Sequence, residues 1–358
     1  MKTAPSTEKT IPTLKHKKMP EIVRLELTNT CNLQCPHCRH HSPEKKQPEN
    51  YPEYYKNPTS MTEAQVDAII DEVAPHKPSI TLNVANEPMI APTFRYAVKK
   101  VKDAGLSGTF NTNGLSINEA IAHLLVDTKY DSINVSVDAA TPETLKLARG
   151  ITALDVLVRN VETLVRVRGD KQFPRIGTTF VITDYNHHEL PAFLEFWKKR
   201  IDVVRVTGYI KDGRPDVSYI PGWTREMLPE RVPCKQIFRD IVIRANGEVT
   251  PCVITAENPD NIVLGNVFTD GGVGAVWNAA PMQRLRDLHN TGKWDEISFC
   301  GPCDYWVETF NFKEEVKDGF LVRTPSPYTT FYNVIEKMEN WDKKKLHDRQ
   351  GTEVEMDA

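Results

Sequence analysis

The sequence predicts an α/β protein built on a parallel sheet, open or curled into a partial barrel, followed by a small second region of hairpin and helix. Three observations carry that prediction. Between residues 20 and 210, short β-branched runs alternate with segments of helical period, the pattern of tandem βα units whose strands run parallel. From Cys234 onward a polar–apolar alternation surrounds Asn246-Gly247, a strong tight-turn signal between paired strands. The seven cysteines divide the same way: Cys31, Cys35 and Cys38 in the first region, Cys234, Cys252, Cys300 and Cys303 in the second.

Strands are predicted at 22–27, 80–85, 108–111, 133–138, 176–182 and 203–209. The helices between them carry their own signals. Ser60-Met-Thr-Glu63 and Ser116-Ile-Asn-Glu119 have the form of capping boxes. Val66, Ile69, Ile70 and Val73 then share one helical face, as do Phe94, Ala97, Val98 and Val101 ahead of Gly105. Thr141-Pro142 opens another helix, and an apolar stripe from Leu154 to Val165 ends near Gly169. In the second region a hairpin over 239–254 precedes one helix over 273–289. The charged C-terminal stretch predicts a short amphipathic helix around 332–338. In parallel α/β folds reactive groups gather at the carboxyl ends of the strands, and the triple-cysteine loop follows the first strand.

At 358 residues the chain can bury a full core and predicts one large domain and a small one. The expected divisions are a disordered tail over 1–20, a core over 21–211, a linker over 212–233, the second domain over 234–310 and an extension over 311–358. The tail is basic, with five lysines and one glutamate. The net charge of −3 gives no reason to expect nucleic-acid or anionic-membrane partners. No stretch approaches the ~18 apolar residues of a membrane span and no signal-peptide core is visible, so a cytoplasmic protein with reduced thiols is expected. Residues 44–59 interrupt the βα pattern with Tyr51, Tyr54, Tyr55 and several prolines. They predict an ordered loop near the cysteines, either a lid or plain packing.

Three cysteines within eight residues, Cys31-x3-Cys35-x2-Cys38, point to metal ligands rather than disulfides. A [4Fe–4S] cluster closed by protein takes four cysteines, so three leave one iron open. The alternative is a zinc site completed by His37, His40 or His41. In the second set, Cys234 lies seven residues from the position expected opposite Cys252, roughly 20 Å or more along a straight strand. Residues 234–238 must therefore fold back, as a helical turn would, for one centre to see both. Four thiolates suit a structural zinc or an iron–sulfur cluster equally on spacing. The first site favours the cluster, because a protein served once by cluster-assembly machinery can be served twice.

On these residues the chain resembles the radical S-adenosylmethionine (SAM) superfamily, in particular members with a C-terminal twitch or SPASM-type auxiliary-cluster domain. The Cys31-x3-Cys35-x2-Cys38 signature is accompanied by Ala85-Asn86-Glu87-Pro88, Thr112-Asn113-Gly114, and Ser136-Val-Asp138 with Arg149-Gly150. Both glycines of the family's Gly-Gly-Glu-Pro-like motif differ here. The second region is similar to the first half of a SPASM domain, without its further cysteines. The resemblance implies a partial (β/α)6 TIM-like barrel with a small C-terminal α+β twitch-type domain of β-hairpin plus helix. Implied cofactors are SAM and two [4Fe–4S] clusters, one on Cys31, Cys35 and Cys38, the other on Cys234, Cys252, Cys300 and Cys303. Implied SAM contacts are His37 beside the adenine, Asn86 and Glu87 at the amino group, Asn113 at the ribose, and Ser136, Asp138 and Arg149 at the ribose and carboxylate.

The implied chemistry is reductive cleavage of SAM to a 5′-deoxyadenosyl radical that takes a hydrogen atom from substrate, with a flavodoxin- or ferredoxin-type donor supplying the electron. Three plus four ligands use every cysteine, leaving no thiol to return a hydrogen atom, which disfavours epimerisation. A two-electron oxidation of a polyol, amino sugar or similar metabolite is the first expectation, with the auxiliary cluster taking the second electron or serving only as a staple. The base would come from Tyr209, Lys211 or Asp212 at the end of the sixth strand, or from Arg149 across the site. The alternative enzyme is a maturase of a ribosomally made peptide, which the lack of a leader-binding domain before the barrel weakens. A C-terminus in Met356-Asp357-Ala358 rather than Gly-Gly disfavours a molybdopterin-type synthase. The contrasting class is a non-enzymatic zinc-binding module.

Overall fold

Alternation along each strand decides which way the sheet faces. The computed structural model describes residues 11–38, 40–43, 46, 49, 53–208, 231–256, 262–303, 306, 312–317, 320–325 and 328–333. Its first six strands are β1 (Ile22–Leu25), β2 (Ser79–Thr81), β3 (Ser107–Thr112), β4 (Ser132–Ser136), β5 (Arg175–Ile182) and β6 (Val203–Gly208). Each pairs in parallel with the next. Between them run α1 (Glu53–Lys56), α2 (Glu63–Val73), α3 (Phe94–Asp103), α4 (Glu119–Asp127), α5 (Pro142–Arg149), α6 (Leu154–Arg168) and α7 (Leu190–Trp197). Val23, Leu25, Ile80, Phe110, Ile133, Val135 and Phe180 face the helices and form one core with α2's Val66, Ile69, Ile70 and Val73 and α3's Phe94, Val98 and Val101. Their neighbours in sequence point to the other face. There Asn111 donates its backbone N–H to Asn83 Oδ1 at 2.8 Å, and Asn134 reaches both Asn111 and Thr179. The sheet is thus a partial barrel, apolar against its helices and polar on its inner face.

The second region continues the same sheet. It comprises α8 (Gln236–Arg239), β7 (Asp240–Ile243), β8 (Glu248–Thr250), α9 (Val253–Ala256), β9 (Gly265–Asn266), α10 (Val273–Trp277) and α11 (Ala280–Asn290). β7 lies parallel to β1, and β8 and β9 follow antiparallel. The turn at Asn246-Gly247 stands as expected. Gly247 has φ +87°, and a Cβ there would lie 2.2 Å from the Phe268 ring, so only glycine fits. The fold-back required before the hairpin is α8, a single helical turn.

Several expectations are corrected. Residues 11–20 are not a disordered tail: Leu14 is buried, exchanges hydrogen bonds with the Asn290 side chain, and Trp277 Nε1 donates to the Lys17 carbonyl. The helix expected over 273–289 is two helices, because Pro281 has no N–H to give and occupies the first turn of α11. The capping residues are Thr62, boxed with Gln65, and Asn118, accepting from the Ile121 N–H, each two residues after the serine first expected. The C-terminal stretch forms β10 (Phe312–Lys317), β11 (Phe320–Pro325) and β12 (Tyr328–Asn333), with β12 antiparallel to β6. Tyr328-Thr-Thr-Phe-Tyr is β-branched and aromatic, a strand composition. Residues 334–338 of the expected helix, and 209–230 with most of the linker, lie outside the described residues.

Candidate active site

The loop after β1 is held by its own polar side chains. Asn29 donates to the carbonyls of Tyr54 and Asn57 at 2.8 and 3.0 Å and accepts from the Thr59 N–H at 2.8 Å, clamping residues 54–59 to the cysteine loop. Within the loop the Cys38 N–H donates to the Cys35 carbonyl at 2.9 Å. Among the described residues, backbone amides turn toward sulfur: Leu33 N–H to Cys31 Sγ at 3.4 Å and His41 N–H to Cys38 Sγ at 3.3 Å. Burial raises the Cys31 thiol to about 12, with Glu87, Cys35 and Cys38 adding to the rise and the Leu33 amide opposing it. Thiols held up in this way become ligands where a bound cation supplies the charge that stabilises them as thiolates.

Glu87 ties three strand-end loops together. Its backbone N–H donates to the Thr30 carbonyl, while its carboxylate accepts from Thr112 Oγ1 at 2.8 Å, the Asn113 N–H at 2.7 Å and the Met89 N–H at 3.2 Å. A carboxylate has about four lone-pair directions, so one remains on Oε2. Asn113 in turn donates Nδ2 to Asn32 Oδ1 at 2.7 Å, joining this belt to the cysteine loop. Asn86 accepts the Val84 N–H at 3.0 Å, and its buried Nδ2 has no acceptor among the described residues. Such a donor fits a bound polar group.

On the far side, α5 ends against the cysteine loop. Gly150 caps it with φ +75°, and a Cβ there would stand 3.3 Å from the Gln34 carbonyl oxygen. This close approach delivers the preceding Arg149, whose guanidinium pairs with the Asp138 carboxylate and lies 3.9 Å from Cys35 Sγ. Burial works to lower the Arg149 pKa, but Asp138 and Cys35 outweigh it and hold the group charged. Arg149 therefore cannot take a proton, which corrects its expected role as a base. Asp138 follows β4, where Ser136 is half-buried, and accepts the Val181 N–H at 2.8 Å. His37 is pushed down to about 4 by burial and then by Arg149, so it is neutral, with Tyr185 Oη 3.4 Å from Nδ1. Tyr209, Lys211 and Asp212 lie outside the described residues.

The other four cysteines line a single cavity together with Arg231, His289 and Trp306. Burial raises Cys234, Cys252 and Cys300, Cys252 to about 11, and in each case neighbouring thiols of the set raise it further. Cys252 receives Thr255 Oγ1 at 3.7 Å. Arg231 donates to the carbonyls of Cys300 and Gly301 at 2.6 and 2.9 Å, its guanidinium 5.0 Å from the Trp294 ring centre. Among the described residues no three His, Cys, Asp or Glu side chains are gathered to hold one metal ion. A zinc would need them about 2.3 Å from one point; a cluster accepts wider spacing. His41, one proposed zinc ligand, donates Nε2–H to the Ala85 carbonyl at 2.9 Å.

Sequence reasoning missed Arg231, His289 and Glu26, and left Tyr54 open between a lid and plain packing. Glu26 follows β1 on its inner face and is fully buried. Tyr54 donates to its Oε2 at 2.6 Å and accepts the Ala245 N–H at 2.9 Å, with Arg244 4.6 Å over the ring. Tyr54 therefore pins the hairpin to the barrel rather than forming a lid. Burial raises Glu26 to about 7, against the opposing effects of Tyr54, Arg244 and the Ala85 and Ala245 amides. Because the folded protein holds this proton more tightly, its stabilisation is complete below pH ~4.5 and is lost as pH rises toward about 7, up to about 3 kcal/mol. Denaturant titrations from pH 4.5 to 8 should show the parent losing stability against Glu26→Gln across that window. A constant difference would contradict it.

A partial barrel with a cysteine triad at its carboxyl end and a second thiol-lined cavity beside it defines a cluster-dependent enzyme. Residues 25–196 match the model of the radical SAM superfamily and residues 234–304 that of the SPASM iron–sulfur cluster-binding domain, so the chain carries a radical SAM domain followed by a SPASM domain. Its cofactors are accordingly SAM and [4Fe–4S] clusters, two in number. These two domain matches overturn the zinc-module reading. The chain is 25% identical over 321 residues to the mycofactocin maturase MftC of Mycobacterium ulcerans, covering 80% of this chain and 81% of that one. It is similar in fold to Streptococcus suis SuiB bound to S-adenosylmethionine, with TM-score 0.61 and 12% identity over 76% of this chain and 68% of that one. BtrN, in complex with AdoMet and 2-DOIA, superposes with TM-score 0.52 and 14% identity over 80% and 93%. No helix among the described residues is long and apolar enough to cross a membrane.

Proposed function

We propose that this chain is a maturase that oxidatively modifies a peptide, rather than the small-metabolite oxidase first expected. The supporting observation is the similarity to a named maturase across 80% of the chain. SuiB, which shares the fold, has also been crystallised with its precursor peptide SuiA. In this reading Cys31, Cys35 and Cys38 hold the SAM-binding cluster, and Cys234, Cys252, Cys300 and Cys303 hold the auxiliary one. When bound, the first cluster and SAM supply a 5′-deoxyadenosyl radical that removes a hydrogen atom from the substrate, at the expense of an electron from a flavodoxin- or ferredoxin-type donor. Glu87 offers its remaining Oε2 lone pair to the SAM amino group and keeps the Thr112-Asn113 loop in place. Arg149 and Asp138 would hold the SAM carboxylate and ribose together with Ser136 and Asn113, and neutral His37 would sit beside the adenine.

With every cysteine assigned to a cluster, the chain keeps no thiol donor, so the product is oxidised or crosslinked rather than epimerised. Anaerobically reconstituted, dithionite-reduced protein with SAM and a panel of short synthetic peptides should release 5′-deoxyadenosine and yield a peptide lighter by two hydrogens. SAM cleavage with a polyol or amino sugar consumed and every peptide unchanged would restore the metabolite reading. No 5′-deoxyadenosine under any reductant would remove both.

A further inference from the structure

The geometry points to His289 as the residue that sets the reduction potential of the auxiliary centre, by donating its Nε2–H to the sulfur of Cys300. This rests on the reading that Cys300 ligates that centre. His289 lies in the last turn of α11 and is fully buried. Its two nitrogens meet different parts of the cysteine set: the Cys234 backbone N–H donates to Nδ1 at 3.2 Å, and Nε2 lies 3.4 Å from Cys300 Sγ. A backbone amide can only donate, so Nδ1 must carry a lone pair. The proton of the neutral ring is then on Nε2, aimed at sulfur.

One side chain therefore joins a ligand at the start of the set to a ligand near its end, and its tautomer is fixed by the fold. The Trp294 ring centre lies 6.2 Å from that of His289, and with the histidine fully buried no water can substitute for the N–H. Hydrogen bonds to cluster sulfurs draw charge off the thiolate and favour the more negative, reduced state, which raises the potential. Arg231, bonded to the Cys300 carbonyl, adds positive charge in the same sense. His289 touches no reacting atom and acts only through Cys300.

The test is an anaerobic redox titration of the reconstituted full chain, followed by the electron paramagnetic resonance of the auxiliary centre. His289→Phe, which fills the space without an N–H, should disfavour reduction about tenfold, a fall of about 59 mV for one electron. His289→Gln can accept from the Cys234 amide and donate to sulfur, and should stay within about threefold of the parent. An unchanged potential in a fully loaded Phe variant overturns the inference, as do equal shifts in Phe and Gln. Should the Phe variant not hold iron, the parent decides. With histidine-selective 15N labelling and exchange into D2O, pulsed measurements should show one imidazole nitrogen and one exchangeable proton coupled to the auxiliary centre, and absence of both overturns it. Failure of the ligand reading itself looks different: Cys300→Ala would then leave the auxiliary signal and its iron intact.

Discussion

Replacing Cys31, Cys35 and Cys38 together with alanine should leave about four of the parent's ~eight irons and abolish release of 5′-deoxyadenosine. The two thiol sets sit in separate places, one in the loop after β1 and the other lining its own cavity between α8 and α11. Each set also feels its own members: Cys31 is raised by Cys35 and Cys38, Cys300 by Cys252, Cys234 and Cys303. Removing one set should therefore leave the other's geometry and iron intact. The complementary variant, Cys234→Ala with Cys252→Ala, should keep about four irons and some SAM cleavage while losing product. A parent with about four irons would refute two clusters. Loss of all iron on removing the triad would show instead that the second centre depends on the first.

The parts legible in sequence were those set by short-range rules. The cysteine spacing marked the loop, Asn246-Gly247 the hairpin, and alternation the six parallel strands. Even α8 followed from chain length, because Cys234 could reach Cys252 only by folding back. What escaped depended on distant partners. His289 carries no local signal and matters because α11 lays it between Cys234 and Cys300. Glu26 is one acidic residue in an apolar run, and only the packing of Tyr54 and Ala245 against it shows that it is buried and bonded. Arg231 fell within a stretch read as linker. The capping errors have a local cause: Ser60 and Ser116 each precede a second good cap, Thr62 and Asn118, and the chain is still extended where the first would act. The C-terminal strands needed β6 as a partner before their composition could tell.

Glu87→Ala should be the most damaging single change outside the cysteines, costing at least about 3 kcal/mol of stability and most of the affinity for SAM. The carboxylate accepts from three groups, Met89 on its own loop, Thr112 at the end of β3 and Asn113 just beyond it. Its side chain is 1% exposed, so water cannot replace it, and each orphaned buried donor costs about 1–3 kcal/mol. The loss should spread along the belt. Without its N–H anchored, Asn113 would no longer hold Asn32 in the cysteine loop at 2.7 Å. Glu87→Gln separates the two roles. Its single carbonyl can serve one side, but the amide NH2 must then face either the Asn113 N–H, donor against donor, or Thr112. Stability should therefore fall in the order Glu, Gln, Ala, measured by denaturant titration of protein without cofactors. SAM affinity, measured on reconstituted protein, should drop nearly as far for Gln as for Ala, because both remove the negative oxygen offered to the ammonium group. Equal affinities for the parent and Gln would leave Glu87 a purely structural clasp.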